Sequence, residues 1–235
     1  MRGDLVPFLL TALLSFAAPV AKAAPAEGVQ HAVVQTAGGV DVHVLRIPLD
    51  RFELRLLTPA QGRQGARVSE MGAAAGALVA VNASYFLADY TPLGFLVSGG
   101  KVLQKPRKVD WGVFFVKERR ATLLHVRDLG DVAGLEFAVQ AGPRLVVDGK
   151  PMALKPQRAR RSMLGIDGQG RAVLAVSTLP LSLAEAADFL VGQGIQQALN
   201  LDGGPSSQLY YPEAGVALES FSPVANAIGV FRRAP

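Results

Sequence analysis

Apolar and polar positions change period several times along the chain, and each change marks an element. Val40, Val42 and Val44 alternate with Asp41 and His43, which predicts a half-buried strand running to Ile47. Phe52 to Leu57 reads the same way, with Pro48-Leu49-Asp50 as the turn between them. In VSEMGAAAGALVAVNASYF the pattern shifts. Ser69 is placed to cap a short helix through the alanines, with Glu70 and Met71 in its first turn. Leu78 to Val81 is a short apolar run suited to a buried strand, and it delivers Asn82 at its C-terminal end.

The middle of the chain predicts hairpins. Gly94 to Val97 and Val102-Leu103 flank a Ser98-to-Lys101 turn, and Gly112 to Val116 and Ala121 to Val126 flank Lys117 to Arg120. Asp148-Gly149 and Asp167-Gly168 are further turn dipeptides between apolar runs. One helix stands out late. Ser182 and Glu185 form a capping box, Leu183, Ala186, Ala187, Leu190 and Val191 make an apolar stripe, and Gly192 or Gly194 ends it. The last strand is Ala227 to Phe231. Strands dominate, so the predicted class is α+β: a largely antiparallel or mixed β-sheet core with a few helices, in a single domain.

The N-terminus stands apart from this pattern. Arg2, an apolar stretch from Leu5 to Val20 and the small-x-small site Ala21-Lys22-Ala23 predict a signal peptide over 1–23, leaving 24–235 as the domain. The apolar stretch is shorter than the ~20 residues a spanning helix needs, so an exported protein, periplasmic or secreted, without stable membrane insertion is expected. The chain has no Cys, which removes disulfides, thiolate catalysis, a lipidated N-terminal cysteine and Cys-ligated zinc. The net charge is +5, but the basic residues are dispersed apart from Arg158, Arg160 and Arg161. That argues against a nucleic-acid surface and for an anionic ligand held at one place. His31, His43 and His125 show no metal-ligand spacing, which argues against a histidine metal site; Asp202 with carbonyls is a conceivable Ca²⁺ ligand set that no sequence feature supports, so no metal or other cofactor is expected.

Four polar islands interrupt the apolar strands. They are Asn82 to Phe86, Gln140 to Arg144, Arg158 to Asp167, and Asn200 to Ser207. Any one of them reads as a turn whose side chains satisfy backbone donors. In order, they resemble the phosphodiester glycosidase family. The motifs are the Asn-Ala-Ser-Tyr-Phe segment Asn82 to Phe86, Pro92 to Gly94, the Gly-Pro hairpin Gly142 to Gly149, the Arg-Ser-x-x-Gly strand Arg161 to Gly165, and Asn200 to Ser206; Val224 to Val230 matches the family's ending. The resemblance covers about 30 to 233. Ser84 stands where the family often has Gly, and Pro205 where a small residue is common.

The resemblance implies hydrolysis of a sugar-1-phosphodiester, with a sugar–phosphate diester or a polysaccharide carrying one as the partner. Expelling a phosphomonoester needs little acid assistance, so one carboxylate and a phosphate-binding cation can suffice where other glycosidases use two carboxylates. Asp202 and Arg161 are the expected catalytic pair. Asn82, Tyr85, Arg144, Asn200, Gly203, Gly204, Ser206 and Ser207 are the expected substrate contacts, with the two glycines admitting close backbone approach. Ser206 and Ser207 read equally as the cap of a short turn. Trp111 is placed either to stack on a sugar or to fill the core, and Glu70, Asp110 and Asp167 are the carboxylates available as a second acid or base. Two other functions fit the same residues: a non-catalytic carbohydrate-binding or exopolysaccharide-assembly protein, and a phosphodiesterase that cuts P–O instead.

Overall fold

The computed structural model describes residues 28–234. The predicted signal peptide lies outside them. Three sheets enclose one core. The first has seven strands in the order Gln30–Gln35, Asp41–Ile47, Ala172–Ser177, Ser162–Asp167, Ile195–Asn200, Arg144–Val147 and Lys150–Pro151. The second orders Val216–Leu218, Leu209–Tyr211, Val79–Asn82, Ala227–Arg232 and Phe52–Leu57. The third orders Lys101–Gln104, Leu96–Ser98, Leu135–Ala141, Gly112–Lys117 and Arg120–His125. Every pairing among these strands is antiparallel.

The sheets share their inner faces. Leu45, Leu164 and Leu174 from the first, Val81 and Ile228 from the second, and Phe114 and Phe137 from the third pack into one cluster. Alternate residues of the first sheet point the other way. Val44, Met163, Val173 and Ala175 meet Leu183, Ala186, Ala187 and Leu190 of the helix Leu183–Gly192. Both faces of the central strands are therefore covered, which is why Ser162–Asp167 and Ala172–Ser177 are buried at every position. Gly165 permits this: a Cβ there would sit 2.6 Å from the carbonyl of Gln197 on the adjacent strand.

The late helix starts as its sequence predicts. Ser182 accepts from the Glu185 N–H, and the Glu185 carboxylate accepts from the Ser182 N–H. The early helix does not. It spans Val68–Ala75 with Arg67 as N-cap and no side-chain cap, so Ser69 lies inside the first turn. The cap function is met from far away in the chain: Gln208 Oε1 accepts from the Val68 N–H at 3.0 Å. The strands Gln30–Gln35 and Leu135–Ala141 were not marked by the sequence pattern.

Candidate active site

Two strands that end on asparagine come from different sheets, and their ends converge. Val79–Asn82 belongs to the second sheet and Ile195–Asn200 to the first. The chain leaving Asn200 crosses between them: the Leu201 N–H donates to Ser162 and the Asp202 N–H to Ala83. Asn82 locks the crossing. It has no exposed surface, its Nδ2 donates to the Asp202 carbonyl at 2.6 Å, and its Oδ1 accepts from Ser162 Oγ at 2.6 Å and from the Gln208 N–H. One amide thus ties three segments to a single point, with both its ends occupied.

Asp202 emerges from this knot half-buried, with its Oδ1 accepting from the Gly203 N–H at 2.9 Å. Burial raises its pKa above the ordinary aspartate value; the Ser206 hydroxyl and the Gly203 amide offset part of that. Gly203 and Gly204 build the turn. A Cβ on Gly203 would lie 2.9 Å from the Arg160 carbonyl, Gly204 adopts φ +61°, and its N–H donates to that same carbonyl. The two glycine N–H groups are therefore used within the protein, against the expectation of free donors at a ligand.

Tyr85 lies near both charged groups. Its hydroxyl donates to the Gly142 carbonyl at 2.8 Å and accepts from Asn200 Nδ2 at 2.9 Å. Burial, then the Asp202 charge, pushes its pKa up to about 12, while the Asn200 hydrogen bond and Arg161 pull the other way. The phenol thus feels both Asp202 and Arg161. Its ring packs on Trp111 with centroids 5.0 Å apart. Trp111 also overlies Gly142, so it is a wall beside the site and not part of the central core.

Arg161 is 3% exposed. Its Nε donates to the Leu181 carbonyl at 3.0 Å and its Nη2 to the Gln157 carbonyl, which leaves Nη1 as the uncommitted end of the fork. Desolvation lowers its pKa, and only the Tyr85 charge raises it. No carboxylate among the described residues balances this guanidinium. Arg144 follows the Gly142-Pro143 turn, with its stem packed over Gly112.

Buried side-chain atoms without a hydrogen-bond partner are three among the described residues: Arg160 Nε, Asn200 Oδ1 and Ser207 Oγ. All three residues belong to the two segments that form the Asp202 turn. Buried polar atoms are nearly always paired, so their gathering at one place marks the site as different from the rest of the core. The sequence signal for Arg160 was the basic triplet itself.

The carboxylates considered as second acid or base are each engaged with a neighbour. Glu70 pairs with Arg63 on the early helix. Asp167 accepts from the N–H groups of Gln169 and Arg171 and pairs with the Arg171 side chain, at the opposite end of its strand from Ser162, some ~17 Å away. Asp110 is exposed and bonded to His125. Ser84, the family departure, pairs with Asn226 through its hydroxyl and N–H. No cluster of three metal-ligating side chains occurs among the described residues.

No curated protein matches the chain by sequence. Among solved structures, the fold is similar to the catalytic domain of zebrafish N-acetylglucosamine-1-phosphodiester alpha-N-acetylglucosaminidase, auto-inhibited by its pro-peptide. The TM-score is 0.71 at 18% identity, over 88% of this chain and 83% of that one. A hypothetical protein from Synechocystis aligns with TM-score 0.63 at 20% identity, over 91% of this chain and 65% of its own. A candidate exported protein of Burkholderia pseudomallei aligns with TM-score 0.64 at 15% identity, over 84% and 76%. At these identities the likeness speaks for the fold. The phosphodiester glycosidase family itself matches 75–231, most of the chain, and this protein belongs to that family.

Proposed function

We propose that the protein is an exported hydrolase that cleaves the C1–O bond of a sugar-1-phosphodiester, releasing the sugar and a phosphomonoester. The observation that carries this reading is a desolvated carboxylate, Asp202, and a desolvated guanidinium that has no carboxylate partner, Arg161, both near enough to Tyr85 for their charges to act on its phenol. A buried cation without a counter-ion favours an anionic ligand, since the ligand's charge replaces the missing partner.

The chemistry follows from the leaving group. As the C1–O bond lengthens, its electron pair goes to the phosphate oxygen, and positive charge builds at C1. Asp202 stabilises that charge and takes the proton as water oxygen bonds to C1. Arg161 Nη1 neutralises the departing phosphate. Donors and charges fixed before reaction act without reorganisation at the moment of bond breaking. Asn200 Oδ1, lacking a protein partner, accepts from a sugar hydroxyl or amide N–H. Tyr85 and Trp111 form the apolar wall, and Asn82, Gly203, Gly204 and Ser206 hold Asp202 in place. Ser207 Oγ, also without a protein partner, and Arg144 contribute further hydrogen bonds to the substrate.

A panel of sugar-1-phosphodiesters in labelled water tests the reading. Label in the released sugar supports C1–O cleavage, and label in the phosphate means a P–O phosphodiesterase. Glycan binding without turnover of any member means a carbohydrate-binding or assembly protein. Export rests on the N-terminal pattern; no described helix is long and apolar enough to cross a membrane. A mature N-terminus at Ala24 in an extracytoplasmic fraction supports it, and full-length protein retained in the cytoplasm refutes it.

A further inference from the structure

The segment 105–110 carries charge that the active site does not use. Lys105 and Lys108 are exposed on it, and with Arg127 from the neighbouring turn they line a groove of about 820 Å³. Val109, Leu129 and Val132 supply apolar surface between them. The only carboxylate in the lining is Asp110, and it is engaged. His125 Nδ1 accepts from the Arg127 N–H, which puts the imidazole proton on Nε2, and Nε2 donates to Asp110 Oδ1 at 2.7 Å. Three cations thus face one anion, whose carboxylate is already hydrogen-bonded within the protein.

The basic segment is held in place. Gln140, fully buried, donates through Nε2 to the Arg107 carbonyl at 2.7 Å and accepts from the Arg107 N–H at 2.9 Å. Its Oε1 also accepts from the Phe95 N–H, tying the segment to the third sheet. This is the role of the Gln140 island. The groove also abuts the site. Asp110 lines it, the next residue packs on Tyr85, and Arg144 lies close enough to Asp110 to help hold its carboxyl below the usual range, after His125 and Arg127.

We propose that this groove is an aglycone subsite for a chain carrying further phosphodiester groups, so that the substrate is a sugar attached to a polyphosphodiester rather than to a single small alcohol. The inference rests on the sugar-1-phosphodiester reading of the site. Cations lining an open groove attract a repeating anion, and the apolar residues of the same lining accept the linking carbons. A neutral glycan gains nothing from Lys105, Lys108 and Arg127, whereas a chain with a charge at every unit does.

Trp111 is the chain's only tryptophan, so its emission reports on this border without any turnover. The test titrates the full chain at low salt with a sugar-free oligomer of glycerol units joined by phosphodiesters. A saturable change in Trp111 fluorescence is expected, with affinity falling about tenfold in a Lys105→Gln/Lys108→Gln/Arg127→Gln variant. These side chains are exposed, so the variant keeps its fold, which circular dichroism verifies. Equal affinity for the oligomer in both proteins overturns the subsite, and so does equal binding of a sulfated polysaccharide, which would show unselective attraction. In kinetics, extending the aglycone from one phosphodiester to several should lower KM about tenfold in the wild type, leave kcat unchanged, and do nothing in the variant. Oligomer binding without turnover of any sugar-1-phosphodiester refutes the hydrolase and keeps the groove. Turnover indifferent to aglycone length refutes the groove and keeps the hydrolase.

Discussion

The Tyr85 hydroxyl and the Asn200 amide meet at 2.9 Å, joining the end of one sheet's strand to the loop that follows another sheet's strand. The phenol O–H donates to the Gly142 carbonyl, so the contact is directional at both ends. Because the Tyr85 pKa stands at about 12, the proton stays in place across the working range of pH. Tyr85 is therefore a positioning residue. Tyr85→Phe should strand the Gly142 carbonyl and leave Asn200 Nδ2 with the Leu201 carbonyl alone, at a cost of about 1–3 kcal/mol in denaturant unfolding, and raise KM more than it lowers kcat. A variant as stable as the wild type contradicts the assignment.

Asp202 is expected to show opposite effects on activity and stability. Burial makes its charged form costly, so Asp202→Asn, which keeps the hydrogen bond from Gly203, should leave the melting temperature unchanged or higher. Turnover should fall about 10²-fold or more, since the charge acts only as C1 becomes positive. The sign in pH follows. A carboxyl whose folded pKa is raised loses its charge at higher pH than ordinary aspartate as acid is added, so the acidic limb of kcat/KM, which reports the free enzyme, should lie above pH 3.8. The stability gain of the Asn variant should shrink to nothing as pH falls through that limb. Full activity in folded Asp202→Asn sinks the site assignment.

Arg161→Lys retains a charge but cannot reach both the Leu181 and Gln157 carbonyls while presenting a donor to phosphate. A rise in KM for phosphodiester substrates is expected, together with about 1–3 kcal/mol of lost stability from the abandoned carbonyls. Hydrolysis of an activated glycoside without phosphate should be insensitive to the change. If that glycoside suffers as much as the diester, Arg161 is structural only.

Asn82→Ala removes one amide that serves Asp202, Ser162 and Gln208 together. Several buried groups lose their partner at once, so a loss of about 3 kcal/mol or more is expected in equilibrium unfolding. A loss below about 0.5 kcal/mol, the scale of an ordinary surface change, would mean the knot is not held there.

Glu185 supplies an acid-sensitive clamp on the late helix. Its hydrogen bond from the Ser182 N–H, then Arg158 and the Ser182 hydroxyl, brings its pKa from 4.5 to about 2. A depressed carboxylate stabilises the fold fully above its unfolded value and progressively less below it. The wild type should therefore lose helix stability between about pH 4.5 and pH 2, and Glu185→Gln should show a flatter profile over that window. Parallel melting curves for the two proteins refute the clamp.

Much of the architecture was legible in local pattern. The alternation of Val40 to Ile47, the hairpin turns and the Ser182–Glu185 box depend on neighbours a few residues apart, and these elements formed where expected. The strand Leu135–Ala141 escaped because its inward and outward faces are both covered, which erases the period of two. Ser69 misled for a related reason: the helix N-terminus is satisfied by Gln208, a partner no local rule can see.

For the site, the sequence by itself determined the chemical inventory: one aspartate at a glycine turn, asparagines at strand ends, arginines in one cluster and no thiols. Only the tertiary structure decided how those groups divide their labour. It turned Asn82 inward as a brace, spent both glycine N–H groups on the turn itself, and committed two corners of Arg161 to backbone carbonyls. It also tied Asp110 to His125 and Asp167 to Arg171. The physical reason is that a polar side chain's role depends on which partners reach it once water is excluded. Those partners come from strands more than a hundred positions apart, as Asn82 and Asp202 do.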